Sequence, residues 1–231
     1  MKITILTLFK EMFIGPFDHS IIKRAIDKKI VKIDFVNIRD FGIGKHKAVD
    51  DKPFGGGAGM ILRADVLSNA IEKVKDKKLK KSEQKVYLLS AHGKQFNWKR
   101  AKEYSKLKHL ILICGHYEGF DERVKNFIDG EISIGDFIVT GGEIPAMLIT
   151  DSVVRLLPGV IRAGAAISES FFENLEYPHY TQPRTFKNLS VPDVLISGDH
   201  KKIEKWKKDQ SLKITQKLRP DLIKYSKKDL H

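Results

Sequence analysis

The sequence predicts an α/β fold: a mostly parallel sheet with helices on both faces, followed by a small helical C-terminal domain. Three observations predict it. Short apolar runs recur through the first 140 residues, helical periodicities fall between them, and several runs stop at glycine. The 231 residues are enough for one large domain plus a smaller one, with a core that needs no disulfide or metal.

The elements follow in chain order. Ile3–Phe9 and Val31–Val36 read as strands, and between them Ile21, Ile22, Ala25 and Ile26 share one helical face after Ser20. Ala64, Leu67, Ala70, Ile71 and Val74 share another. Lys73–Lys85 is charge-dense and reads as a solvated helix end or loop. Val86–Leu89, His109–Cys114 and Ile132–Val139 are strand-like, separated by shorter helix candidates at Asn97–Leu107 and Glu122–Ile128. Gly142–Leu157 reads as a helix closed by Pro158-Gly159. The pattern then weakens, so the expected division is a domain over 1–160, a linker over 161–180 and a basic helical domain over 181–231. A basic helix is expected across Gly198–Leu218, carrying Ile203, Trp206, Leu212 and Ile214.

Charge and cysteine content narrow the function. The formal net charge is +13, and residues 181–231 hold 13 Lys/Arg against 6 Asp/Glu. Positive charge concentrated in this way favours a polyanion, and nucleic acid above a membrane surface, because no lipid anchor or apolar face accompanies it. No apolar stretch is long enough to span a bilayer, and Met1–Phe9 is too short for a signal peptide, so a cytoplasmic location is expected. The single Cys114 lies within an apolar run and reads as a small buried hydrophobe.

The chemistry-bearing features are loops. Cys114-Gly-His-Tyr-Glu-Gly119 and Ser133–Pro145 both end apolar runs, where ligands of open α/β sheets bind. Together they offer backbone N–H and C=O groups for a purine. Glu118 and Asp136 add carboxylates that attract a cation. Each loop alone also reads as an ordinary strand-to-helix turn. His116 reads as a ligand, a base or a structural histidine. Asp50–Met60 is the most glycine-rich loop, but it carries neither a phosphate-loop lysine nor a dinucleotide fingerprint. It reads equally as a flexible turn and as an RNA-facing loop beside Lys45, His46 and Lys47. No cluster has metal-ligand spacing.

Several long motifs occur in one order. They are Val49-Asp-Asp-Lys-Pro-Phe-Gly-Gly-Gly-Ala-Gly-Met60, Cys114-Gly-His-Tyr-Glu-Gly-Phe-Asp-Glu-Arg123, Ser133-Ile-Gly-Asp-Phe137 and Gly141-Gly-Glu-Ile-Pro-Ala146. Asp151-Ser-Val-Val-Arg155, Leu157-Pro-Gly-Val160, Pro178-His-Tyr-Thr181, Ser197-Gly-Asp-His200 and Trp206 follow. The series resembles the bacterial tRNA (guanine-N1)-methyltransferases almost end to end. The resemblance implies a SPOUT-type fold with a trefoil knot at the C-terminal end of the α/β domain, a homodimer and a tRNA partner. It also implies methyl transfer from S-adenosylmethionine to N1 of guanine 37, next to the anticodon. Cofactor contacts implied are Leu88, Leu89, Ser90, Gly115, Tyr117, Glu118, Gly119, Ile134, Gly135, Asp136, Phe137, Ile138, Val139, Gly141, Gly142 and Pro145. Substrate contacts implied are His46, Asp50, Gly59 and Ser170, with Arg155 as the active-site arginine.

One departure stands out. The family's general base is an Asp in an Asp-Ser-Phe motif, and here the motif reads Glu169-Ser-Phe171. Glu and Asp have similar reference pKa values, so the acid–base chemistry survives, but the carboxylate moves by roughly 1 Å. Guanine N1–H is a far weaker acid than a carboxylic acid. Its removal therefore needs a base and a positive group near O6 together, and Arg155 supplies that group or holds the carboxylate. The sulfonium methyl is already electrophilic. The resemblance carries a Mg²⁺ dependence with it, for which the sequence offers no ligand set. Two other readings stand beside this one: a non-catalytic RNA-binding relative weakened by Glu169, and a nucleotide-phosphate enzyme using Gly55–Gly59.

Overall fold

The structure is a computed structural model that describes residues 1–162, 169–171 and 173–226. The contacts divide the chain into two compact units, Met1–Arg162 and Ala163–His231. Part of the expected linker, residues 163–168 and 172, lies outside the described residues.

The first unit contains β1 (Lys2–Thr7), α1 (Ser20–Asp27), β2 (Lys32–Asn37), β3 (Asp50–Asp51), β4 (Ile61–Leu62), α2 (Ala64–Val74) and β5 (Gln84–Gln95). It continues through α3 (Trp98–Tyr104), β6 (His109–Ile113), β7 (Gly130–Ser133) and α4 (Glu143–Val154). Five strands form a sheet in the order β2-β1-β6-β5-β7, every neighbouring pair parallel. A strand covered on both faces needs apolar residues at every position, and β6, His-Leu-Ile-Leu-Ile, is buried throughout. Leu6, Val86, Leu88, Ile111 and Ile113 gather with Val66, Leu67, Ala70 and Ile71 of α2 into one core. The alternate residues Ile3, Ile5, Leu110 and Leu112 are equally buried on the other face, where α4 packs against β1 and α1. Each such side chain contributes roughly 1.5–3 kcal/mol by leaving water.

Two expectations are corrected. The apolar run Ile132–Val139 is a strand only as far as Ser133. The Ser133 hydroxyl donates to the Gly135 carbonyl and accepts from the Gly135 N–H, and Gly135 takes φ +147°, so the chain turns out of the ladder there. The strand expected at Val86–Leu89 is longer, because it resumes after an excursion: Leu89 and Lys94 both face Ile132. Residues 90–93 leave the ladder between them. A Cβ at Gly93 would collide with the Ile132 backbone, so glycine lets the strand return.

The polar core is closed by His109, which is buried. Gln84 Oε1 accepts from the Asp76 N–H, so His109 Nδ1 donates to that oxygen (2.8 Å). Nε2 is then free to accept from the Thr4 hydroxyl (2.8 Å). This arrangement requires the neutral ring. Burial, helped by the Lys2 charge, lowers the His109 pKa from 6.5 to about 4. The unfolded chain binds the proton near 6.5 and the folded chain only near 4, so stability falls as pH drops through that window. The expected loss is about 3 kcal/mol, read from urea unfolding at both ends of the window. The His109→Gln variant should show a correspondingly shallower pH dependence.

The second unit holds a short hairpin, β8 (Thr185–Phe186) and β9 (Leu189–Ser190), then α5 (Asp193–Ile196), α6 (His200–Leu218) and α7 (Pro220–Ser226). Asp199 caps α6 by accepting from the Lys201 and Lys202 N–H groups. Thr215 is the buried residue of α6. It donates to the Ser211 carbonyl and accepts from the Leu175 N–H, tying the helix to the segment before the hairpin. Tyr177 and Tyr180 both stand against Trp206, with Lys207 over the Tyr177 ring.

Candidate cofactor cavity

Three segments meet, one interrupting β5 and two leaving the carboxyl ends of its neighbours β6 and β7. They are the 90–93 excursion, the loop after β6 and the loop after β7. They enclose a cavity of about 310 Å³. Fifteen of the sixteen residues expected around a cofactor line it: Asp136 alone is not among the lining residues. Asp136 sits one residue past the Gly135 turn and is exposed.

Backbone ties hold the cavity shut at its base. The Gly142 N–H donates to the Gly115 carbonyl (2.8 Å), joining the two glycine turns. Both glycines are there for space. A Cβ at Gly142 would sit 2.5 Å from Cys114 Cα and the Gly115 nitrogen, and one at Gly115 would meet the Phe120 ring at 2.9 Å. Tyr117 takes φ +60°, a left-handed conformation costly for a side chain of its size, at the point where the first loop turns over the cavity. The loop's far end is pinned to the glycine-rich loop: Glu118 N–H donates to the Met60 carbonyl and Leu62 N–H to the Gly119 carbonyl.

Beneath the wall lies a polar group that sequence reasoning missed. Glu143, the first residue of α4, is fully buried. Its Oε1 accepts from the Thr7 hydroxyl at 2.6 Å. That hydroxyl accepts in turn from the Phe9 N–H, so its hydrogen is committed to Glu143. Oε2 lies 3.2 Å from His116 Nε2, yet neither atom finds a hydrogen-bond partner, so the approach is close but badly angled. The His116 ring packs on Phe9 and Tyr117. The nearby Cys114 thiol is pushed well above its ordinary range, by burial first and by the Glu143 charge second.

Other charges on the cavity wall are paired with one another. Lys125 binds Glu122 and Glu131, and Asp121 binds Arg123, whose hydrogen bonds hold the Asp121 carboxyl below its usual range. Glu118 is exposed at the rim. The cavity thus combines apolar walls (Leu88, Leu89, Ile134, Ile138, Val139, Pro145), glycine backbone and carboxylates. It suits a ligand with a flat apolar part and a positive centre. Among the described residues no three His, Cys, Asp or Glu side chains come together to hold a metal.

The remaining expected residues lie elsewhere. Gly59 (φ +82°) packs against the Glu118 side chain, His46 is exposed in the turn Gly44–Lys47, and Asp50 pairs β3 with β4. Arg155 follows α4 and is half-buried. In the second unit, Ser170 Oγ accepts from the Glu176 N–H and so staples the turn that carries Glu169.

The chain matches known proteins over almost its whole length. The family model "tRNA (Guanine-1)-methyltransferase TrmD" matches residues 1–225. A tRNA (guanine-N(1)-)-methyltransferase of Dictyoglomus turgidum is 52% identical over 225 residues, covering 96% of this chain and 90% of the relative. Proteins of the same name from Carboxydothermus hydrogenoformans (52%, 97% of this chain, 88% of the relative) and Bacillus pumilus (51%, 96% and 92%) are equally similar.

Proposed function

Since the chain belongs to the tRNA (guanine-1)-methyltransferase family, we propose that it methylates N1 of guanine 37, beside the anticodon of tRNA, using S-adenosylmethionine. The observation that carries this reading is the cavity closed by the Gly142–Gly115 bond, lined by the residues that match the family's motifs. The residues fit the donor. Glycine backbone that a Cβ would obstruct, apolar side chains for an adenine ring and a carboxylate behind the wall for a sulfonium are all present. When bound, the donor supplies an electrophilic methyl carbon. The chain's own residues do the rest. The two loops hold the donor and exclude water from it. Glu169 takes the N1 proton, and Arg155 offsets the negative charge that collects at O6. Binding the guanine outside its stack exposes N1. His46, Asp50, Gly59 and Ser170 are proposed to contact the tRNA.

The finer assembly belongs to the same reading. α4 is apolar on its inner side (Ala146, Ile149, Val153), and Ile144 and Leu148 are exposed on its outer side, as are Phe9, Met12 and Ile14 on the segment after β1. Apolar side chains exposed on neighbouring segments call for a cover, which supports a homodimer. The α/β unit is proposed to be trefoil-knotted in its C-terminal part, with residues 1–160 catalytic, 161–180 linking and 181–231 binding tRNA. The lysines of α6 and the Tyr177–Tyr180–Trp206 group support the last role. No helix among the described residues is long and apolar enough to cross a membrane; the tRNA substrate implies a cytoplasmic location. The test is incubation with labelled S-adenosylmethionine and unmodified tRNA bearing consecutive guanines, followed by mass spectrometry of the digested tRNA. One methyl at N1 of guanine 37 is expected. No transfer, or transfer to another base, would overturn the reading.

A further inference from the structure

Glu143 is a buried ionisable group that takes no part in the proton and methyl transfers described above. It sits at the N-terminal end of α4, where the positive end of the helix dipole favours an anion. One oxygen is committed to Thr7 and the other has no hydrogen-bond partner. That second oxygen lies directly behind the cavity wall. A Cβ at Gly141, which lines the cavity, would be 2.6 Å from Glu143 Oε2 and 2.6 Å from His116 Nε2. The Gly141 backbone therefore stands between the carboxylate and the cavity. Glu143 differs from the cavity's other carboxylates in its burial: those are paired with Lys125 or Arg123 or exposed at the rim, whereas the second oxygen of Glu143 is fully buried and faces the His116 ring at 3.2 Å without a hydrogen bond. Water weakens an exposed charge, but one fully buried behind a thin wall acts through a lower dielectric.

We propose that Glu143 is a charge-recognition residue that makes the cavity favour the cationic methyl donor over the neutral product. The inference rests on the methyl-donor reading. Transfer breaks the sulfur–methyl bond and leaves its electron pair on sulfur, so the sulfonium becomes an uncharged thioether. The attraction from Glu143 then disappears while every contact with the adenine and the amino acid remains. Glu143 thus helps spent product give way to fresh donor without weakening donor binding.

Calorimetry with S-adenosylmethionine and S-adenosylhomocysteine on the full-length protein tests this without turnover. In Glu143→Gln, which keeps the side chain's shape, the ratio of product Kd to donor Kd should fall about tenfold, the scale expected for a unit charge pair at reduced dielectric. Glu143→Asp keeps the charge, so any loss of affinity should fall on both ligands in equal proportion and the ratio should hold. A role in packing alone would change both ligands equally in both variants, and that result would overturn the proposal. The unmodified protein gives a second measurement if Glu143→Gln does not fold. Its preference for the cation should persist between about 50 and 500 mM salt, because a buried charge is poorly screened. A preference that vanishes with salt, or is absent throughout, assigns the discrimination elsewhere. Failure of the unmodified protein to bind the donor at all would instead sink the methyltransferase reading.

Discussion

Gly142→Ala should cost at least 100-fold in affinity for S-adenosylmethionine and about 3 kcal/mol of stability. Gly142 has φ −76°, which alanine adopts readily, so conformational strain is not the cause. The cause is space. The new methyl would sit 2.5 Å from both Cys114 Cα and the Gly115 nitrogen, and backbone atoms at the end of the central strand cannot turn aside as a side chain can. Relief requires the two glycine turns to part. That stretches the Gly142–Gly115 hydrogen bond and opens the cavity at its base. Gly44→Ala provides the contrast. Its Cβ meets nothing within 4 Å, so its penalty comes from φ +70° alone, about 1 kcal/mol, with donor affinity unchanged. Thermal unfolding and donor calorimetry on both variants separate the two mechanisms. Normal donor affinity in Gly142→Ala would refute the close-approach argument.

The parts of the fold that announced themselves did so through long apolar runs. β1, β6 and α2 bury continuous or periodic sets of side chains, and composition alone marks them. The loop after β7 misled for the same reason: Ile134 and the Phe137-Ile-Val139 run look like strand, yet they line a cavity instead of pairing. What ends the strand is a local hydroxyl staple at Ser133 and the left-handed turn at Gly135, which hydrophobicity does not report. The two-residue strands β3 and β4 carry no period at all. Thr7 and Glu143 were invisible as a pair because 136 residues separate them. Only the fold brings them together, and nothing in Thr-Gly-Gly-Glu143 distinguishes a buried carboxylate from a solvated one. The cavity residues, by contrast, were legible because they cluster in the two glycine-bearing loops and match the family's motifs in order.

The largest catalytic effect is expected at the departure from the family's motif. Glu169→Gln should lower kcat by 10²–10⁴-fold, the range for losing a positioned general base, while donor affinity and thermal stability stay as in the unmodified protein. The isosteric amide cannot take up the guanine N1 proton. Glu169→Asp should retain far more activity than Gln, losing no more than about 100-fold, because only placement changes and a displacement near 1 Å carries about that penalty. The turn that carries the residue bears on this. The Ser170 hydroxyl accepts from the Glu176 N–H, and the Phe171 N–H donates to the Asn174 carbonyl, so the two residues that follow Glu169 are tied to the next turn. Where the neighbouring residues are tied, side-chain length matters, and Glu in place of Asp sets the carboxylate roughly 1 Å further along. Single-turnover methylation with saturating donor isolates the chemical step in all three proteins. Equal rates for Glu169→Gln and the unmodified protein would remove Glu169 from the mechanism. A faster rate for Glu169→Asp would mean that the longer side chain is poorly placed and that the chain carries a slowed version of the reaction.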